Sequence, residues 1–380
     1  MKILHVISSL DPRWGGTSEA VKQMCRALQA NGAECEAACL DPSVSPWLSN
    51  SDFKIYALGP AKGSYGYSKK YQDWLKNNIA KYDATILHGL WQFPGRALWL
   101  ASGKGRLPYY VYPHGMLDPW FKKAFPGKHL KKMAYWMLSE KHVLAKARAV
   151  LFTSEDEMLL APHSFPGYRV NSEVTGLGIE TPAGDGEAQK QIFLTQFPEL
   201  AGKRIVLFFG RIHPKKGCEY LAQAFAEVAE GNPRLHLVFA GPCEDEAYRR
   251  KLENLALKSR TSWTGLLRGD LRWGAMRAAE VFALPSHQEN FGLAVAESLA
   301  SGCPVLLSKR VNIWREVLAA GAGFACEDDL AGMRAVLGSW LELSAAEREG
   351  MRARSVEAFN RHFRIQDTAQ RILEVIERTR

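Results

Sequence analysis

Three stretches of the 380-residue chain gather residues that could act on a charged ligand. The first is GRIHPKKG at 210–217, where Arg211 and Lys216 stand between the apolar run IVLFF and the amphipathic run CEYLAQAFAEVAE. A strand ending there sets two cations at its carboxyl end, the edge at which open α/β sheets bind ligands, and together they could neutralise a diphosphate. The second is PSHQENFGLAVAESLASGCPVLLS, in which Glu289 lies just before a helix that Asn290 or Phe291 opens and Glu297 lies inside it. At a rise of ~1.5 Å per residue the two carboxylates are about 12 Å apart along the axis, close to the span from a sugar ring across a diphosphate to a ribose. The amides of Phe291, Gly292 and Leu293 at the helix start would face the phosphates between them. The third is DPRWGGTSEAV, where Gly15 and Gly16 ahead of a helix allow backbone amides to approach a phosphate closely. It is not GxGxxG, and no acidic residue closes the second strand, which disfavours a nicotinamide dehydrogenase.

Each of these stretches sits where a strand hands over to a helix. Short apolar runs alternate with helix-period runs along the whole chain, the mark of βα units around a parallel sheet. Strands are expected at ILHVIS, ATILHG, YYVYPH and AVLFTS, then at IVLFFG, LHLVFAG, EVFALPS and CPVLLS. The same texture fills both halves, so two doubly wound domains fit better than one sheet of at least eight strands. GLGIETPAGDGEAQKQIFLTQFPELAGK, from Gly176 to Lys203, has the Pro and Gly content of a linker and places the boundary near residue 180. Seven cysteines form an odd set without a CxxC pair and read as reduced thiols of a cytosolic chain. The opening MKILHVISSLDP reads as a first strand, not a signal peptide, and no apolar run nears the ~18 residues of a membrane span.

Composition is ordinary for a globular protein, 47% apolar and 23% charged, but the net charge of +9 is unevenly placed. Residues 1–150 carry 21 Lys and Arg against 10 Asp and Glu, whereas the remaining 230 carry 28 against 30. The excess is densest in FKKAFPGKHLKKMAYWMLSEKHVLAKAR, where Leu130, Met133, Trp136 and Met137 lie among the lysines of 122–148. This stretch is expected to touch an anionic membrane surface, against the alternative that its apolar positions fill the core and its lysines are merely solvated. No groove-entering motif or interleaved aromatic surface supports a nucleic-acid partner.

In order along the chain, the GG loop, GRIHPKKG, the E-x7-E pair Glu289 and Glu297 in its PSHQENFGLAVAESLASGCPV setting, and the closing HFRIQDTAQRILEVIERTR resemble the retaining glycosyltransferases of family 4 (glycosyl transferases group 1). The E-x7-E pair with GRxxxxKG before it is the specific part. The resemblance implies the GT-B fold: two Rossmann-like domains facing across a cleft, an acceptor-binding one over 1–180 and a nucleotide-sugar-binding one over 181–361, with a helix at 362–380 crossing back to the first. It implies that Arg211 and Lys216 hold the donor diphosphate, that Glu289 lies against the donor sugar and that Glu297 bonds the ribose. It implies further that His114 in YVYPHGMLDPW stands beside the donor sugar as a catalytic residue with Arg211, Lys216 and Glu289, and it points to His88 and Asp118 as acceptor-binding residues. Gly15, Gly16 and the run Asn290 to Leu293 complete the expected donor site. TGLGIE at 175–180 departs from the Asn-Gly turn of many relatives.

For such an enzyme the resemblance implies front-side attack without a metal, the leaving diphosphate helping to take the acceptor proton. No DxD motif follows a front-domain strand, and the one DD pair is Asp328–Asp329. The expected ligands are a UDP- or GDP-sugar as substrate, with no cofactor, and a glycan or lipid-linked glycan acceptor for an envelope polysaccharide. The expected location is cytoplasmic, peripheral on the inner face of the plasma membrane. A soluble sucrose- or glycogen-type transferase is the alternative, and a nucleic-acid-binding protein a remote one.

Overall fold

The computed structural model describes residues 1–14, 16–49 and 51–379. It divides into two compact units, Met1–Glu180 with Ile365–Arg380, and Thr181–Arg364. The first unit holds seven strands, β1 (Lys2–Ile7), β2 (Glu34–Cys39), β3 (Lys54–Ala57), β4 (Ala84–His88), β5 (Tyr109–Tyr112), β6 (Ala149–Phe152) and β7 (Ser172–Val174). They form one parallel sheet in the order β3-β2-β1-β4-β5-β6-β7. The second unit holds β8 (Arg204–Phe209), β9 (Leu235–Ala240), β10 (Thr261–Gly265), β11 (Val281–Leu284), β12 (Val305–Ser308) and β13 (Gly323–Cys326), parallel in the order β10-β9-β8-β11-β12-β13. Helices link the strands in both units, and this is the Rossmann-like pair of a GT-B α/β fold.

The central strands are apolar on both faces because helices cover both. Ile3, Leu4 and Val6 of β1 and Val206, Leu207 and Phe208 of β8 are buried on either side of their sheets. Strand order reverses between β1 and β4 in one unit and between β8 and β11 in the other. Ligands of open α/β sheets bind at the carboxyl ends of strands beside such a reversal. GRIHPKKG leaves β8 and PSHQENFG leaves β11, so the sheet order alone brings these two stretches together.

The region read as a linker carries more structure than its Pro and Gly content suggests. Asp185 caps a helix, Gly186–Gln196, accepting from the amides of Glu187 at 2.8 Å and Ala188 at 3.2 Å. This helix packs on Gly269–Ala278 at Gly274, where a Cβ would stand 2.1 Å from the Gln189 carbonyl oxygen. The chain leaves the second unit through the helix Ala345–His362 and returns to the first as Ile365–Thr379. That last helix lies on Gly16–Ala30, and it is tied to the first sheet at three points. Arg371 Nε donates to the Thr175 carbonyl at 2.8 Å, Tyr110 Oη meets Thr379 Oγ1 at 2.8 Å, and Arg378 pairs with Glu173 at 2.8 Å.

Candidate active site

In the second unit the path of the backbone decides where the cations stand. Gly210 and Ile212 continue the β8–β9 pairing past the strand ends through Gly210 N–H to Ala240 and Ile212 N–H to Pro242. Ile212 turns into the core, so Arg211 is left exposed. A single 3-10 turn, Pro214–Lys216, follows. His213 opens it, its Nδ1 accepting from the Lys215 amide at 3.1 Å, and burial together with Arg211, Lys215 and Lys216 holds the His213 pKa below its ordinary value. Gly217 closes the turn at φ +64, where a Cβ would lie 2.1 Å from the Pro285 carbonyl oxygen. Only glycine lets the chain pass that close to the β11 loop, and the passage puts Lys216 against Glu289. Their side chains form an ion pair, each about one-fifth exposed.

Glu289 itself is fixed from behind. Its amide donates to Arg310 and its carbonyl accepts from Asn312, both about one hydrogen-bond length away at 2.9 and 3.0 Å. The helix begins later than the sequence suggests, at Leu293–Ala300, with Gly292 as its left-handed cap at φ +76. Glu289 and Asn290 therefore lie on the loop that follows β11. Phe291 is a core residue, buried edge-on against Phe363 at 5.7 Å, so what it offers a ligand is backbone. The first amides of any helix lack intrahelical acceptors, which leaves those at Gly292 and Leu293 as donors at the positive end of the dipole. Glu297, one turn in, is 4% exposed and is held by Arg272, Nε to Oε2 at 3.1 Å and Nη2 to Oε1. Arg272 lies on Gly269–Ala278, and nothing in RGDLRWGAM marked it.

In the first unit the carboxyl ends of β1, β4 and β5 present histidines. His88 ends β4, and His114 follows β5 in a left-handed turn at φ +50. His88 is 3% exposed, and its two ring nitrogens face His5 Nδ1 at 2.9 Å and His114 Nε2 at 3.0 Å. No nitrogen is left for an acceptor hydroxyl, so the acceptor-binding role expected of His88 does not fit. His114 is partly exposed. Two buried carboxylates that no spacing revealed hold the loops beside these histidines. Glu157 accepts from the Gly115 amide at 2.6 Å and from Thr153, and Glu140 accepts from the Trp91 amide at 2.9 Å. Asp118 accepts from the Trp120 amide at 2.8 Å, starting the short helix Trp120–Ala124, and it lines a small pocket of about 50 Å³. Phe121, Phe125, Phe165, Lys128 and Lys132 share that lining.

Gly16 opens the helix Gly16–Ala30, while Gly15 lies outside the described residues. The basic stretch divides by face. Trp136 is buried at 1%, whereas Leu130 at 73% and Leu138 at 70% are exposed beside Met137. Among the described residues no three His, Cys, Asp or Glu side chains gather as metal ligands, and no helix is long and apolar enough to cross a membrane.

Two family models divide the chain as its sheets do. The glycosyl transferase 4-like domain matches residues 15–170, and glycosyl transferases group 1 matches residues 190–352. The chain belongs to the group 1 glycosyltransferases. Among relatives of this glycosyltransferase is the GDP-mannose:cellobiosyl-diphosphopolyprenol alpha-mannosyltransferase of Xanthomonas campestris, 24% identical over 337 residues that cover 87% of this chain and 84% of the relative. The D-inositol 3-phosphate glycosyltransferase of Corynebacterium efficiens is 24% identical over 241 residues, 60% of this chain and 55% of that one. Among solved structures, Anabaena HepE in complex with UDP and glucose superposes with a TM-score of 0.77 at 18% identity, covering all of both chains. Sucrose-phosphate synthase from Thermosynechococcus elongatus gives 0.77 at 20%, covering 100% of this chain and 99% of the other. Glycosyl transfer from a nucleotide sugar is the activity these relatives support.

Proposed function

We propose that this glycosyltransferase moves a sugar from a UDP- or GDP-linked donor to a hydroxyl of a glycan or lipid-linked glycan, with retention at the anomeric carbon and without a metal, in the synthesis of an envelope polysaccharide. The observation that carries the reading is the Lys216–Glu289 pair at the β8–β11 reversal, flanked by Arg211 and the amides of Gly292 and Leu293. A diphosphate placed there meets two cations and a helix N-terminus, the charge a departing nucleoside diphosphate requires.

In the proposed reaction the bond between the anomeric carbon and the diphosphate oxygen breaks, its electron pair leaving on the diphosphate. The acceptor oxygen bonds the same carbon on the same face, and its proton passes to a leaving diphosphate oxygen. Arg211 and Lys216 stabilise the charge that develops, Glu289 and His114 contact the donor sugar, and Glu297 accepts from the ribose. Asp118 remains the candidate for an acceptor hydroxyl. The envelope reading and contact with an anionic membrane are supported by exposed Leu130, Met137 and Leu138 among the lysines of 122–148, and by a relative whose name specifies a diphosphopolyprenol acceptor.

A thermal-shift screen with UDP, GDP, ADP and their sugars tests the donor. A ligand at 100 times its Kd stabilises by ~2.7 kcal/mol, roughly 5–10 °C for a domain of this size. No shift with any of them opposes the reading. With the donor known, the anomeric proton coupling of the product tests retention, and turnover that survives EDTA tests the absence of a metal.

A further inference from the structure

Three histidines from neighbouring strands of the first unit stand in one hydrogen-bonded row. His5 Nδ1 lies 2.9 Å from His88 Nε2, and His88 Nδ1 lies 3.0 Å from His114 Nε2. The rings are nearly parallel, with centroids 5.2 and 5.3 Å apart and tilts of 18° and 22°. Tyr112 lies flat against His88 with a tilt of 6°. His5 and His88 are buried, so only His114 of the three reaches solvent.

A neutral imidazole has one N–H and one lone pair. Burial keeps His88 and His114 neutral, pushing both pKa values down, His114 to about 4. Both contacts can then be made only if all three protons sit on the same kind of nitrogen, and the row has one of two polarities. With Nε2–H throughout, the last N–H is stranded at His5. With Nδ1–H throughout, His5 keeps a bare lone pair and His114 is left with an N–H. His5 Nε2 is buried and makes no close hydrogen bond, although the ring interacts with the Cys35 side chain on β2, whose S–H could donate to a bare Nε2 lone pair, and a stranded donor is rarer in proteins than a stranded acceptor. The second polarity is therefore favoured.

We propose that His5 and His88 are positioning residues that lock His114 as its Nδ1–H tautomer, so that His114 presents a fixed N–H donor to an oxygen of the donor sugar. This rests on the reading of His114 as the residue beside that sugar. The backbone supports it independently: His114 sits at φ +50, and the next amide, Gly115, is held by buried Glu157 at 2.6 Å. The ring thus has a fixed base as well as a fixed proton.

The tautomers are read from ¹⁵N shifts and long-range couplings of the full chain, unliganded and labelled at histidine. Nδ1–H on His5, His88 and His114 is expected. The opposite pattern, which a thiolate at Cys35 on the adjacent strand would impose, overturns the proposal, and so does a mixture at His114. In kinetics, His88→Leu removes the donor to His114 and should lower kcat by about tenfold to a hundredfold while nucleotide affinity holds within about twofold. His88→Asn keeps an amide nitrogen in the place of Nδ1 and should recover to within about threefold. Wild-type turnover in the Leu variant, or equal losses in Leu and Asn, overturns the positioning role. Should His88→Leu fail to fold, the tautomer pattern of the unaltered protein still decides. His114→Ala tests the underlying reading separately, since unchanged turnover there removes the donor-site role whatever the tautomers.

Discussion

Glu140 offers a perturbation whose size follows from the structure. Its carboxyl is fully buried, with Oε1 accepting from the Trp91 amide and Oε2 meeting no partner. Trp91 stands at φ +72 in the loop that follows His88, so this bond holds a left-handed turn in place. Burial pushes the carboxyl up from an ordinary 4.5 to about 7, the Trp91 amide and then Lys132 opposing. The folded protein therefore keeps a proton that the unfolded chain releases near 4.5. Because the folded state binds more protons in that window, stability falls as pH rises. Glu140's contribution is fully present below about 4.5 and is lost as pH rises through about 7. The gap is worth about 3 kcal/mol at 1.36 kcal/mol per unit of pH. Glu140→Gln keeps an oxygen for the Trp91 amide and removes the charge. Its midpoint of thermal unfolding should lie within about 3 °C of the native protein at pH 5, where about a quarter of the gap has already been lost, and exceed it by roughly 6–12 °C at pH 8, since 1 kcal/mol moves a domain of this size by roughly 2–4 °C. The assay is calorimetry of both proteins from pH 5 to pH 8. A constant difference across that range would refute the reasoning, because removal of a buried ionisation must act only where it ionises.

Three further outcomes follow from the site. Arg211→Ala and Lys216→Ala should each lower kcat by about a hundredfold or more with the fold intact, and near-normal steady-state kinetics in both would remove their role at the leaving group. Glu297→Ala should chiefly weaken nucleotide binding in titration calorimetry and Glu289→Ala chiefly lower turnover; equal losses of both kinds in each variant would end that division. The protein should sediment with phosphatidylglycerol vesicles at low salt and not with neutral ones, the attachment fading at high salt and after Lys122, Lys123, Lys131 and Lys132 are changed to Glu.

The strands legible from the sequence are those at the centre of each sheet, because they are apolar on both faces. ILHVIS, IVLFFG and LHLVFAG announce themselves, and all eight expected strands are present. The strands that escaped notice are β2, β3, β7, β10 and β13. β2 is ECEAAC, small and polar residues without β-branching, and β10 is TSWTG near the sheet's edge, where one side needs no apolar cover. The same distinction separates the site residues. Lys216 and Glu289 could be paired on paper because each follows a recognisable strand. Arg272, Glu140, Glu157 and His5 could not, since each reaches its partner across elements distant in sequence, and a lone charged residue in a helix pattern reads as surface.

The pairs Lys216–Glu289 and Arg272–Glu297 explain how one site can carry both signs of charge. A carboxylate offers about four acceptor positions, and the fork of Arg272 takes two of those on Glu297. Arg272 supplies the counter-charge to the Glu297 carboxylate in a place where an unpaired charge would be costly, and the carboxylate's remaining lone pairs can only accept. A ribose bound there would have to donate, which two neighbouring hydroxyls do and a phosphate cannot. Lys216 has the converse capacity, three N–H donors of which Glu289 uses one. In the proposed complex its other donors would reach the diphosphate, so a single ammonium would touch both the carboxylate beside the sugar and the group that leaves. The distance between sugar and leaving group would then be set by one side chain, itself placed by the close passage of Gly217 under Pro285.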